Sequence, residues 1–179
     1  MNQLSSDRSQ ELMSFLNAVA PDWQNAVQDL NVIDEAMTHT SAGLSKNHER
    51  LEFLGDAVLR LACSEFIDQN HPDLSVGERS ELRAQLVSDQ WLAELGESIG
   101  IETILRVGAH AKADTQALKT LRAEASEALI GALYAQDQGL QLILRWLTPR
   151  WTISARDVLA HPHRFQSKSA LQEWSQARR

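Results

Sequence analysis

The sequence predicts an all-α domain of about seven to eight helices, and three observations carry that expectation. Apolar residues recur at three- and four-residue spacing along most of the chain. Strand-like alternation over more than four residues is hard to find, and Asn-Gly or Asp-Gly hairpin signals are absent. The four prolines, Pro21, Pro72, Pro149 and Pro162, fall where helices are expected to start or stop. In chain order, helices are expected over residues 10–19, with Ser9 as N-cap, then 32–38, 49–69, 76–87, 88–99, 120–136 and 140–150. A shorter helix is expected over 170–176. Gly100 and Gly139 stand where helix-terminal glycines belong. The stretch 106–119 is the least periodic and reads as a loop with room for a short helix. Neither an internal repeat nor a low-complexity segment is present.

Composition narrows the class. A chain of 179 residues with 43% hydrophobic and 23% charged residues suits one globular unit plus a short appendage. The expected division is a globular unit over 1–155 and a basic tail over 156–179. No apolar run approaches the roughly 20 residues that span a bilayer, so no membrane partner is expected. The polar start MNQLSSDRSQELM lacks the order of a secretion signal, and the single cysteine, Cys63, cannot close an internal disulfide. A cytoplasmic protein is the expectation, with Cys63 an inert core thiol.

The net charge of −7 is unevenly spread. Residues 1–144 carry a balance of −12 and residues 145–179 one of +5. Phosphate binding needs cations, so an acidic body suits a nucleic-acid enzyme only if some carboxylates hold metal ions that reverse the local sign.

Two segments meet that condition. In residues 49–59, Leu51, Leu54, Val58 and Ala62 form an apolar stripe, while Glu52 and Asp56, four apart, share another face. In residues 123–134 the only charges are Glu124 and Glu127, three apart and again on one face. Like charges at this spacing cost an isolated helix about 0.2–0.5 kcal/mol, and more among leucines and alanines. Arg60 is the only cation placed to offset either pair. Gly55 and Gly131 lie inside these helical patterns, where glycine costs about 1 kcal/mol relative to alanine. Such a glycine is best understood as admitting a second backbone at close range. Two glycine-bearing helices side by side would gather four carboxylates into an oxygen-rich site suited to Mg²⁺ or Mn²⁺ rather than zinc. Either pair alone reads first as the solvated face of a helix; the two together, each beside a glycine, leave both readings open. His39 and His48 lack the spacing of a metal pair and are expected to be structural, with Thr38, His39 and Ser41 capping or packing.

Residues 49–57, ERLEFLGDA, resemble the signature of the ribonuclease III family at every position. The likeness extends to AMTHTS at 36–41, RAQLVS at 83–88 and EALIGALY at 127–134, covering roughly 30–150. It implies an all-α endonuclease domain that forms a homodimer and cuts double-stranded RNA to 5′-phosphate and 3′-hydroxyl ends. It also implies a role in ribosomal or messenger RNA processing. By motif position Glu52, Asp56, Glu124 and Glu127 are the metal-binding carboxylates, with Asp56 and Glu127 catalytic and Glu49 lining the substrate valley. Mg²⁺ is the implied cofactor, with Mn²⁺ a substitute. Most family members carry Asp where this chain has Glu124. That change is nearly neutral if the acid acts through water; if it ligates directly, activity falls or preference moves toward Mn²⁺. Residues 167–178 resemble the opening helix of a double-stranded-RNA-binding domain, cut short; a basic tail that packs on the body is the competing expectation. A non-catalytic relative that binds structured RNA or a ribonucleoprotein is the alternative function. A di-iron bundle would need Glu-x-x-His on two helices, and neither acidic pair is followed by such a histidine.

Overall fold

The computed structural model describes residues 4–21, 23–108 and 115–161. Eight α-helices make up these residues: α1 Ser6–Val19, α2 Trp23–Ala26, α3 Leu30–Ala36, α4 Glu49–Asn70, α5 Val76–Leu86, α6 Asp89–Ser98, α7 Thr115–Tyr134 and α8 Gly139–Ala160. Two 3₁₀ turns, Thr40–Ala42 and Ile101–Thr103, complete the order. No strand occurs among the described residues. A single parallel bridge joins Thr38 to Arg106. The all-α expectation is met, and no described helix is long and apolar enough to cross a membrane.

The helices start where local chemistry satisfies their free amides. Ser75 and Glu78 form a reciprocal capping box at α5, and Ser88 accepts from the Trp91 amide at α6. The first helix starts earlier than expected. Ser5, not Ser9, is its N-cap, accepting from the Arg8 amide. The added turn places Arg8 inside, where it donates to Asp34 at 2.7 Å. Helix α7 likewise begins at Thr115, within the stretch that reads as a loop. After α6 the left-handed residue is Gly100, whereas before α8 it is Gln138, with φ 52°.

Pro149 departs from its expected place at a boundary. It lies inside α8, which continues to Ala160. Proline costs a helix about 3 kcal/mol, but the turns on both sides of it are held by burial of Trp146, Leu147, Trp151 and Ala155. Trp151 also donates its indole N–H to the Leu86 carbonyl at 3.1 Å in the core. Tertiary packing outweighs the local penalty here.

Helices α4 and α7 lie side by side at the centre, and their glycines explain how. A β-carbon on Gly55 would fall 1.9 Å from the Glu127 carbonyl oxygen, and one on Gly131 would fall 2.1 Å from that of Leu51. Each glycine therefore receives the other helix's backbone. Leu51, Leu59, Ala62 and Phe66 of α4 and Ala128, Leu129, Ala132 and Leu133 of α7 are buried around this contact. Cys63 is fully buried there, its thiol pushed up to about 12 by burial, as an inert core residue should be.

Candidate active site

The same contact sets the positions of the acids. The first half of α4 carries Glu52 and Asp56; the middle of α7 carries Glu124 and Glu127. Glu49, exposed in the first turn of α4, lies on the rim of a cleft of about 400 Å³. His39, His48, Glu52, Phe53 and Glu124 also line that cleft.

Glu52 and Glu124 meet around a histidine. His48 Nε2 lies 3.2 Å from Glu52 Oε2 and 3.7 Å from Glu124 Oε2. His39 Nε2 lies 3.5 Å from the same Glu124 oxygen, and the two imidazoles stack with centroids 4.8 Å apart. Asp56 is held differently, accepting from Arg60 Nε at 2.9 and 3.1 Å one turn on. The pairs are thus neighbours across one helix interface, with a histidine pair at one end and Arg60 at the other.

The electrostatics separate the four acids. Burial, reinforced by Asp56, Glu52 and Asp89 against Arg60, pushes the Glu127 carboxyl up to about 7. Burial also raises Glu52, with Glu124 and Glu49 adding to the effect and His48 opposing it. Glu124 moves the other way, because the His48 hydrogen bond outweighs burial, with His39 adding to it. Burial works to lower His48, but Glu124, Glu52 and the Thr38 carbonyl overcome it and raise it. Burial and the stacked His48 lower His39 despite Glu124. Negative charge is therefore concentrated beyond what the local cations neutralise, and Glu127 is where the excess appears.

A pH signature follows. Between about pH 4.5 and about pH 7 the folded chain holds more protons at Glu127 than the unfolded chain, so stability falls as pH rises. Glu52 acts in the same direction, whereas the stabilisation from Glu124 is lost only below its ordinary range. The raised His48 stabilises below about pH 6.5 and loses that contribution as pH rises through its folded value. In metal-free buffer the Tm is expected to fall from about pH 5 to about pH 7.5, and to fall less in Glu127→Gln. Equal slopes in thermal melts of the two proteins would show that Glu127 does not carry the strain.

Carboxylates are hard donors of the kind that suits a hard divalent cation, and the group of potential ligand atoms found within 4.8 Å of one another among the described residues is His39, His48 and Glu124. Sequence reasoning missed the two histidines. His39 caps, as expected, its side chain accepting from the Ser41 amide at the start of the 3₁₀ turn; what was not expected is its approach to His48, nine residues on, which the His48 amide secures by donating to the Thr38 carbonyl at 2.8 Å. His39 donates its amide to the Arg106 carbonyl at 2.9 Å, and Arg106 donates its amide to that of Met37, also at 2.9 Å.

Comparison with known proteins bears on the family and the fold. The family model described as Ribonuclease-III-like matches residues 29–149. Ribonuclease 3 of Prochlorococcus marinus is 57% identical over 147 residues, covering 82% of this chain and 59% of that protein. Ribonuclease 3 2 of Synechocystis sp. is 42% identical over 153 residues, covering 86% and 63% respectively. The chain thus spans about three-fifths of the length of these curated relatives. A crystal structure of the nuclease domain of ribonuclease III from Campylobacter jejuni aligns with a TM-score of 0.64 at 25% identity, covering 83% of this chain and 97% of that one. A second structure of that domain aligns with a TM-score of 0.65 at 28% identity, covering 74% and 95%. Motifs, fold and relatives agree, and the chain belongs to the ribonuclease III family.

Proposed function

We propose that this chain is the catalytic part of a metal-dependent endoribonuclease that hydrolyses double-stranded RNA, leaving 5′-phosphate and 3′-hydroxyl ends. The reading rests on two helices, each carrying a carboxylate pair, whose backbones touch at Gly55 and Gly131, and on Glu127 being driven up to about 7. Relatives named Ribonuclease 3 support the reaction class.

Glu52, Asp56, Glu124 and Glu127 would hold the cation, Mg²⁺ or Mn²⁺, and Asp56 and Glu127 would stand at the reacting phosphate. When bound, a divalent ion supplies Lewis-acid polarisation of the phosphodiester and a means of ionising water near neutral pH. The chain's own residues prepare for it. Glu127 holds its carboxyl proton below about pH 7 and gives it up on occupancy, so binding is accompanied by proton release. Arg60 fixes Asp56, and His48 holds Glu52 beside Glu124. Glu49 lies on the rim, where a substrate backbone would pass.

A homodimer is part of the proposal. Phe53 is 83% exposed although it lies in the α4 motif between Glu52 and Leu54, and Leu61 two turns on is 54% exposed. Large apolar side chains this open on a helix beside the site suit an isologous contact. The Campylobacter jejuni nuclease domain is itself described as having a region involved in dimer formation. Residues 1–155 form the catalytic unit of the proposal and 156–179 its basic tail, which resembles the opening of a double-stranded-RNA-binding domain. That tail lies almost wholly outside the described residues. Ribosomal and messenger RNA precursors in the cytoplasm are the proposed substrates.

Incubation of this chain with long duplex RNA, with and without Mg²⁺ or Mn²⁺ and followed by end mapping, tests the activity. Duplex bound but uncut under every metal condition would favour the non-catalytic alternative. Binding itself is expected to be weak and to fall about tenfold or more between about 50 and about 200 mM salt in a filter-binding titration. Tight, salt-independent binding would contradict that expectation.

A further inference from the structure

Three side chains close to the carboxylates, His39, Ser41 and His48, form a cluster whose hydrogen bonds fix more than its distances. His39 Nδ1 accepts from the backbone amide of Ser41 at 3.1 Å, a donor that cannot reverse its role. The Ser41 hydroxyl lies 2.7 Å from the same nitrogen and itself accepts from the Gly108 amide at 2.9 Å, so its proton is free to point at the ring. Nδ1 is thus an acceptor, and the ring proton of neutral His39 belongs on Nε2. That N–H faces Glu124 Oε2 at 3.5 Å. His48 has the opposite arrangement, its Nδ1 lying 3.3 Å from the Thr38 carbonyl oxygen, an acceptor only. Although His39, His48 and Glu124 lie close enough to suggest a three-ligand metal site, His39 offers that site a hydrogen rather than a lone pair. It is built as a donor to a carboxylate.

We propose that His39 is a positioning residue for Glu124, its Nε2–H holding the carboxylate in place and being held in turn by Ser41 and Gly108. Glu124 needs such a partner. It is 32% exposed, with three rotatable side-chain bonds, and among the described residues its other ion-pair contact is His48, which Glu52 shares at shorter range. The support behind His39 is rigid: a β-carbon on Gly108 would fall 2.5 Å from the Ser41 carbonyl oxygen, so the two segments are in close backbone contact. Metal-ligating groups are commonly oriented by such partners, whose loss costs about 10–100-fold in metal affinity. The inference rests on the proposed role of Glu124 as a ligand.

The test is Mn²⁺ binding to the protein alone, by calorimetry or electron paramagnetic resonance, beside single-turnover cleavage of duplex RNA. His39→Ala is expected to weaken Mn²⁺ binding about tenfold. His39→Gln, whose Nε2–H₂ occupies nearly the same position, is expected to recover most of that loss, whereas His39→Asn, which is too short, is not. In a Glu124→Ala background His39→Ala is expected to add little, because its partner has gone. Long-range ¹H–¹⁵N spectra of the unmutated protein are expected to show the neutral ring protonated at Nε2, a result that no folding defect can obscure. Unchanged Mn²⁺ binding in His39→Ala, no recovery by His39→Gln, an undiminished effect without Glu124, or an Nδ1–H ring would each overturn the proposal while leaving the nuclease reading intact. A parent protein that neither binds Mn²⁺ nor cuts duplex RNA would overturn both.

Discussion

Glu127→Gln is expected to lower cleavage of duplex RNA by more than about a hundredfold, the upper end of the loss seen when supporting partners of metal ligands are removed. It should do so without unfolding the protein. Glutamine keeps the shape of the side chain and its hydrogen-bonding capacity but cannot ionise. The parent carboxyl is half-buried, and loss of hydration, reinforced by Asp56, Glu52 and Asp89, drives it up to about 7, so its ionised form carries a desolvation and repulsion cost that glutamine relieves. The variant's Tm at about pH 7.5 without metal should therefore equal or exceed the parent's. Stability retained and activity lost is the signature of a residue placed for function. Single-turnover kinetics at saturating Mg²⁺, paired with thermal melts, separate the two effects. Parent-like cleavage by the variant would remove Glu127 from the chemistry.

Gly55→Ala is the change expected to damage the fold most for its size. Alanine is the better helix former by about 1 kcal/mol. Here its methyl would fall 1.9 Å from the Glu127 carbonyl oxygen and 2.7 Å from the carbonyl carbon. Those are backbone atoms of a buried helix and cannot rotate away, so α4 and α7 must part. Overpacking of this kind costs about 1–3 kcal/mol and occasionally more, and the cost exceeds the propensity gain. A net loss of about 2 kcal/mol is expected in urea unfolding, with weaker Mn²⁺ binding because the carboxylate pairs separate. Gly77→Ala in α5 is the control: the nearest atom to its β-carbon is the Ser75 hydroxyl at 4.0 Å, and no loss is expected. Equal effects of the two substitutions would mean that the central contact is looser than described.

What the sequence disclosed and what it withheld divide along the range of the forces involved. The acidic pairs and their glycines were legible because each lies within one turn or two of a single helix, where spacing alone determines which face a residue shares. The start of α4 at Glu49 was legible for the same reason, and there the expected and observed helices differ by one residue at the C-terminal end. Ser9 and Ser5 could not be told apart locally, since both are good caps; Asp34, 26 residues on from Arg8, decides between them. Pro149 misled because its penalty is local, whereas Trp151 reaches Leu86 across 65 positions. The histidine pair was hidden most completely. Its two members are brought together by the His48 amide's bond to the Thr38 carbonyl, in a segment that the His39 amide ties to Arg106, and no periodicity marks such contacts.

The reciprocal seat of Gly55 and Gly131 also bears on how such a chain can change over generations. Most buried positions drift in pairs, one side chain growing as its neighbour shrinks. Here each glycine faces main chain, which every amino acid carries alike, so no partner substitution makes room. The two positions form a point at which the lineage has no neutral exit. The residues most tightly bound to that point, Leu51 and Glu127, inherit its immobility in space even where their own side chains would tolerate exchange.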